Sequence, residues 1–241
     1  MQRYFALNKE LELSNQDKFH ITKVMRMKID DLIEVVYDEK VYLCKILNIS
    51  SNDVEIEKVK EIHINNEWET KVTIVFSLVN ETKTDFILQK CTELGAYDFI
   101  PYTASRSKVK LDKKESKKIE RWNMITKEAA EQSYRNICPK VNNIMTINDI
   151  CNLDYDLKII ASTKENEKTV KNVLQNSNNC DRIIIVVGPE GGFDENEEEV
   201  FNKNGFISTS FGTTILRTET APIFAMSVLK YELMRWSNEK F

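Results

Sequence analysis

Two short stretches near the C-terminus hold residues whose types and spacing could seat a ligand. One is Val187-Gly188-Pro189-Glu190-Gly191-Gly192-Phe193-Asp194, and the other is Phe211-Gly212-Thr213-Thr214-Ile215-Leu216-Arg217-Thr218-Glu219-Thr220-Ala221-Pro222. Each follows an apolar, strand-like run and opens into a helix-like segment. Glycine lets the backbone turn sharply and come close to a ligand. Two such turns on one face of a sheet make a pocket lined by main-chain N–H and C=O groups, which suits a cofactor with an adenosine part. A phosphate nest at a helix N-terminus has similar geometry. The first loop, however, has no Lys or Arg and carries Glu190 and Asp194, which repel an anion. Neither a G-K-[ST] phosphate loop nor a G-x-G-x-x-G turn after the first strand is present. An acidic loop instead tolerates a cation, such as the sulfonium of S-adenosylmethionine.

The elements that must position these loops are legible as a β/α alternation. From Lys71 onward, Val72 to Val79 is a continuous apolar run, typical of a strand buried on both faces. A helix is predicted from about Lys83 to Leu94, ending at Gly95, then a strand over Tyr97–Tyr102 and a long helix over about Glu115–Asn136, stopped before Pro139. Leu157–Ala161 reads as a strand and Glu167–Gln175 as a helix. Ile183–Val187 is the most strand-like run in the chain. Asp194 opens a helix through Phe201, with Glu197 completing a capping box. Gly205–Ser210 reads as the last strand and Thr220–Trp236 as the last helix, with Pro222 in its first turn. Repeated β/α units imply a mostly parallel sheet covered on both faces. Ala221 to Leu229 holds no charge, so this helix is expected to be buried on several sides: one against its own sheet, the remainder against a second subunit or inside an unusual topology, unless it is the central helix of one large core.

Residues 1 to about 68 read as all-β. Leu32–Tyr37 and Val41–Ile49 flank Asp38-Glu39-Lys40 as a hairpin, and Val54–Val59 alternates. Between the first strand and this hairpin, Ile21, Val24 and Met25 have helical spacing. A small barrel with one short helix is expected, with Asn65–Glu69 as the linker.

The chain has 241 residues, 41% hydrophobic and 30% charged, which is enough for one large or two small domains of an ordinary soluble kind. No apolar run reaches membrane-spanning length, and Met1-Gln2-Arg3-Tyr4-Phe5 lacks the apolar core of a secretion signal. A cytoplasmic protein without a membrane partner is expected. The five cysteines are dispersed and the two histidines are His20 and His63; neither a disulfide framework nor a metal site is expected. Net charge is −4, yet between Arg106 and Lys127 lie Lys108, Lys110, Lys113, Lys114, Lys117, Lys118 and Arg121. That run is either an RNA-facing cluster or a solvated helix face.

The pair Gly188-Pro189-Glu190-Gly191-Gly192 and Leu216-Arg217-Thr218-Glu219-Thr220-Ala221 resembles the SPOUT methyltransferase superfamily, and more closely the ribosomal RNA small subunit methyltransferase E family. His20-x-x-x-Val24-Met25-Arg26, the Lys83–Gly95 helix with Gln89-Lys90 and Glu93-Leu94-Gly95, and Glu131-Gln132-Ser133 with Arg135-Asn136 extend the resemblance over the whole chain. Met25 stands where leucine is usual in that family. Ser105 stands where an acid is usual before Arg106.

The resemblance implies a PUA-like RNA-binding β-barrel over residues 1–68. It implies a SPOUT-type α/β methyltransferase domain over 69–241, with a mostly parallel sheet and a deep trefoil knot. It further implies S-adenosylmethionine-dependent methylation of N3 of a uridine in 16S ribosomal RNA of the small subunit, by a homodimer. Cofactor residues are then expected at Ala161, Ser162, Gly188, Glu190, Gly191, Gly192, Phe211, Gly212, Ile215, Leu216 and Thr220. Arg217 would stabilise charge on a uracil carbonyl and Glu219 would orient it or take the proton; the alternative is an Arg217–Glu219 pair that braces the loop. RNA contacts are expected at Arg3, Arg26, Lys83, Lys90, Arg106, Lys108, Lys110 and Arg135. His20 is expected to be a structural hydrogen-bonding residue. A non-catalytic RNA-binding protein of the same shape, and a methyltransferase acting on transfer RNA ribose or another rRNA base, stay open as rival functions.

Overall fold

The computed structural model describes residues 1–50, 53–106, 115–177 and 180–233. They form two compact units. Residues 1–67 and 127–138 make the N-terminal unit, and 68–126 and 139–241 the C-terminal one. The division is not a single cut near residue 68, because residues 127–138 are bonded into the N-terminal unit. Lys127 pairs with Asp17 and Glu131, Phe5 N donates to Glu131 at 3.3 Å, and Arg135 pairs with Glu67 at 2.5 Å.

The N-terminal unit is built on a four-stranded sheet, β1 (Gln2–Phe5), β2 (Leu32–Tyr37), β3 (Lys40–Ile49) and β4 (Val54–Ile62), in that order. β1 runs parallel to β2; the other pairs are antiparallel. The β2–β3 turn is tight because Asp38 and Glu39 both take left-handed φ, 50° and 62°, which matches the twist of the strands it joins. Helical spacing in the 15–25 region resolves into α1 (Asn15–Phe19), started by a Ser14–Asp17 capping box, and a π-helical turn over His20–Val24. Ile21, Ile33, Val35, Cys44 and Ile46 are fully buried and form the core with Tyr4.

The C-terminal unit carries a six-stranded, all-parallel sheet. Its strands are β5 (Lys71–Ser77), β6 (Asp98–Tyr102), β7 (Lys140–Val141), β8 (Leu157–Ala161), β9 (Arg182–Val187) and β10 (Ile207–Thr209). The spatial order is β10-β8-β9-β5-β6-β7. The helices are α2 (Glu81–Glu93), α3 (Glu115–Gln132, whose residues from 127 belong to the other unit), α4 (Ile147–Cys151), α5 (Val170–Gln175), α6 (Glu195–Lys203) and α7 (Thr220–Leu233).

Alternation along the central strands splits the core in two. Ile74, Phe76, Ile185 and Val187 face a layer with Ile87 and Leu88 of α2, Val173 of α5, and Met226 and Leu229 of α7. Val75, Ile184 and Val186 face Ile150 of α4, Phe201 of α6 and Phe206. Both faces of β5 and β9 are therefore covered, as their unbroken apolar runs require. Two elements, β7 and α4, were not expected from the sequence. The expected strand over Gly205–Ser210 is only three residues long. Among the described residues, no helix is long and apolar enough to cross a membrane.

Candidate cofactor cleft and its supports

Three strand ends build the site. β8 lies between β9 and β10, so the turns after all three open side by side. This is the crevice at the carboxyl edge where parallel sheets bind ligands. They enclose a cleft of about 140 Å³, lined by Ala161 to Asn166 after β8, by Gly188, Pro189, Gly192 and Phe193 after β9, and by Phe211 to Leu216 with Thr218 and Ala221 after β10. Its volume is below the roughly 300 Å³ at the small end of drug-sized sites.

The first loop is locked from beneath. Gly192 N donates to Pro189 O at 2.8 Å, and Gly192 takes φ +69°, a conformation costly for any residue with a Cβ. A Cβ on Gly188 would stand 3.2 Å from the Phe193 ring, so that ring packs directly under the turn. Phe193 in turn meets Phe201 edge to face, with ring centroids 5.7 Å apart. Asp194 caps α6: its carboxylate accepts from Glu197 N at 2.7 Å, and Glu197 accepts from Asp194 N at 3.0 Å. The expected capping box is present.

Ser105 and Arg106 support the same loop. Ser105 Oγ donates to Asp194 at 2.6 Å and Ser105 N donates to Glu197 at 2.7 Å. The Ser105 hydroxyl, then the Glu197 backbone, hold the Asp194 carboxyl below its ordinary range. An acid at position 105 would face that carboxylate, so serine is the compatible choice here. Arg106 donates to Gly191 O at 3.0 Å and Phe193 O at 3.4 Å.

The second loop is open. Ser210 N donates to Lys168 O and Ser162 N to Thr209 O, at 2.7 and 3.0 Å, fixing its root. Thr220 and Ala221 N donate to Arg217 O at 2.8 and 2.9 Å, starting α7. Between these anchors, no hydrogen bond engages the main chain of Thr213 to Leu216 among the described residues. Ile215 is 85% exposed at the lip. Unpaired N–H and C=O groups facing a cleft are free to read the edge of a heterocycle.

The sequence-derived cofactor set divides. Ala161, Ser162, Gly188, Gly192, Phe211, Gly212, Ile215 and Leu216 line the cleft; Glu190, Gly191 and Thr220 do not. Glu190 is turned to Lys83, Gly191 packs on the Arg106 side chain, and Thr220 begins α7. The two acids expected to face a cation, Glu190 and Asp194, are thus engaged outside the cleft. The carboxylates that line it are Glu165 and Glu198, with Lys164 between the loops. Sequence reasoning missed the 163–166 segment; its place directly after an apolar strand, as for the two glycine loops, was the available signal.

Arg217 and Glu219 do not pair among the described residues. Arg217 is exposed and its guanidinium makes no hydrogen bond or ion pair there. Glu219 Oε2 lies 3.2 Å from Lys83 Nζ, which also holds Glu190 Oε1 at 2.5 Å. The two carboxylates, Glu190 first, push the Lys83 ammonium above its usual range.

The expected RNA cations also divide. Arg3 is 2% exposed: Nε donates to Glu34 at 2.8 Å and Nη1 to Tyr134 O at 2.6 Å. Arg135 is 4% exposed and paired with Glu67. Both are structural ion pairs of the N-terminal unit, and neither offers its charge to a polyanion. Lys83 is committed to two carboxylates and Arg106 to two carbonyls. Lys90 is partly exposed, 2.8 Å from Glu93. Arg26 is exposed, without an ion pair among the described residues. Lys108 and Lys110 lie outside the described residues. His20 Nδ1 is 3.0 Å from the Tyr4 hydroxyl, a structural contact. No group of metal-ligating side chains occurs among the described residues.

Comparison with known proteins agrees with this geometry. A family profile described as RNA methyltransferase domain matches residues 66–230, and one described as RNA methyltransferase PUA domain matches 13–59. The ribosomal RNA small subunit methyltransferase E of Bacillus subtilis is 38% identical, over 98% of this chain and 99% of its own length. Its namesake from Mesomycoplasma hyopneumoniae is 33% identical over 94% and 98%. Among solved structures, a ribosomal RNA small subunit methyltransferase E of Neisseria gonorrhoeae bound to S-adenosyl methionine superposes with a TM-score of 0.86 at 26% identity, covering 96% of this chain and 98% of that one.

Proposed function

The chain belongs to the ribosomal RNA small subunit methyltransferase E family, and from that premise we propose that it transfers the methyl group of S-adenosylmethionine to N3 of a uridine in 16S ribosomal RNA. The observation that carries the reading is the cleft at the ends of β8, β9 and β10, with its unpaired main chain from Thr213 to Leu216. Such a wall suits an adenine edge and the adjoining sugar. S-adenosylmethionine supplies a methyl carbon made electrophilic by its sulfonium.

The chain's own residues do the rest. Uridine N3 carries a proton and is a poor nucleophile until that proton leaves. N3 is on the pairing edge, so the base is presented unpaired. Arg217, exposed and uncommitted, stabilises negative charge on a uracil carbonyl. Glu219, with one carboxylate oxygen against Lys83, is the nearby proton acceptor. Of the cations expected to meet RNA, Arg26 and Lys90 are the described ones left to do so, the first in the N-terminal unit and the second in the C-terminal one.

The same reading makes the chain a cytoplasmic homodimer with a knotted C-terminal domain. α7 supports the dimer: Phe224 and Tyr231 are 37% and 75% exposed on a helix otherwise buried along Ala221, Ala225, Met226 and Leu229.

Titration calorimetry with S-adenosylmethionine tests the reading, and absence of heat refutes it. Arg217→Ala is expected to cut turnover on small-subunit RNA by roughly 10²–10³, the loss typical of one oxyanion donor, with cofactor affinity retained. Unchanged turnover removes Arg217 from the chemistry.

A further inference from the structure

Lys83 is the one cation of the C-terminal unit, among the described residues, that meets carboxylates from both glycine-rich loops. It sits in the first turn of α2, where the helix dipole opposes positive charge. Its backbone N–H is capped by Asn80 Oδ1 at 3.0 Å. Its side chain leaves the helix to reach Glu190, 107 positions away in the chain, at 2.5 Å. It also reaches Glu219 at 3.2 Å. Glu219 Oε2 is buried and accepts no hydrogen bond among the described residues. Its compensation is the ammonium charge.

Neither carboxylate lines the cleft that their loops enclose. Glu190 lies within the turn closed by Pro189 and Gly192, and Glu219 within the turn where Thr220 and Ala221 bond to Arg217 O. Remove the ammonium and the two loops lose the one side chain that bridges them among the described residues. The walls then separate, and the second loop has no main-chain bonds of its own from Thr213 to Leu216 to resist.

From this juxtaposition we infer that Lys83 is a positioning residue, a latch that sets the spacing of the two loops and so the affinity of the cleft for its cofactor. It is not an RNA contact. The inference rests on the reading that this cleft takes S-adenosylmethionine, and one arm of its test needs no ligand.

Hydrogen exchange of the ligand-free full chain comes first. In Lys83→Met, the hydrogen-bonded amides of the two turns, Gly192 in the first and Thr220 and Ala221 in the second, are expected to exchange faster together, with β5 and β9 unchanged. Unchanged exchange in either loop overturns the latch, whatever the chain binds. Calorimetry then compares five proteins. Lys83→Met is expected to bind S-adenosylmethionine about tenfold more weakly, a coupling within the usual span for charges in one network. Lys83→Arg stays near wild type. The triple variant Lys83→Met, Glu190→Gln, Glu219→Gln is expected to bind no more weakly than Lys83→Met, because the bridge is already broken; a residue that merely filled space would leave the carboxylate substitutions to add their own loss. A triple variant weaker than Lys83→Met by the full effect of the carboxylate pair, Glu190→Gln with Glu219→Gln, overturns the inference. So does Lys83→Met with unaltered cofactor affinity and weakened RNA binding. Wild type giving no heat refutes the cofactor reading alone and leaves the exchange result to decide the latch. If Lys83→Met does not fold, Glu190→Gln with Glu219→Gln tests the same contact from the other side, with the same loss of loop protection expected.

Discussion

Gly192 and Gly205 form a matched pair for separating the cost of a turn from its use. Both take left-handed φ, +69° and +84°, and a Cβ at either meets nothing within 4 Å. Alanine therefore adds backbone strain and no clash, about 1–2 kcal/mol in each case. Gly205 is held between α6 and β10 by Gly205 N to Asn202 O and Phe206 N to Phe201 O, at 3.2 and 3.1 Å. That turn cannot relax without unseating a buried phenylalanine. Gly205→Ala should carry the strain in the folded state and lower the melting temperature by roughly 2–8 °C, at about 2–4 °C per kcal/mol for a chain of this size. Its cofactor affinity should not change. Gly192 closes its turn with one internal bond, to Pro189 O. Gly192→Ala can release strain by opening that turn in the free protein, so its melting temperature falls less. Cofactor binding must then restore the turn, and affinity drops roughly 5- to 30-fold for the same 1–2 kcal/mol. Calorimetric Kd values and thermal melts on the two variants decide it. If Gly192→Ala melts as low as Gly205→Ala and binds as tightly as wild type, the left-handed turn is a scaffold feature with no part in the site.

Other perturbations address the supports. Asp194→Ala removes a carboxylate whose pKa is lowered by Ser105 and the α6 N-terminus, so the stability it confers is present above its ordinary value of 3.8 and is lost as pH falls through the lower folded value. The melting gap between wild type and variant should hold from pH 8 to 5 and close below about 4. Glu131 behaves with opposite sign: burial outweighs Lys127 and pushes its carboxyl from 4.5 up to about 7, beside Asp17 and Phe5 N. Its contribution is full below pH 4.5 and is lost as pH rises through 7, so Glu131→Gln should flatten the pH dependence of melting over that window. Arg3→Met leaves Glu34 buried and unpaired and should cost about 3–5 kcal/mol, whereas Arg3→Met with Glu34→Leu recovers most of it. Failure of the double variant to recover would mean that the Tyr134 carbonyl contact carries Arg3.

Much of the fold is local and was readable for that reason. The Asp194–Glu197 box, the Asp38-Glu39 turn and the unbroken apolar runs of β5 and β9 each depend on neighbours a few positions apart. α4 also has a local signal, the Thr146–Asp149 capping box, but its five residues are too few to show a helical period. β7 had none, since two residues of strand carry no period. The cleft's residues were legible to the extent that they follow strands. The direction of the charged side chains was not. Glu190 and Asp194 read as acids facing a ligand, yet one serves a lysine 107 positions away and the other a helix end. Arg3 and Arg135 read as surface cations, and their partners Glu34 and Glu67 sit 31 and 68 positions away. Long-range charge pairing leaves no periodicity to detect.

Sheet order explains why the second glycine loop needs a latch from outside its own strand. β10 is at the edge and β8 separates it from β9. The two glycine loops therefore start about two strand spacings apart, roughly 10 Å, with only the 161–166 turn between them. A ligand touching both must bridge that gap, and nothing in the β-ladder fixes how far the edge loop leans. α2 follows β5, on the other side of β9, and packs against α7, which begins where the edge loop ends. A long cation in the first turn of α2 can therefore reach both loop ends at once. Position 83 is that place, and lysine has the reach to fill it.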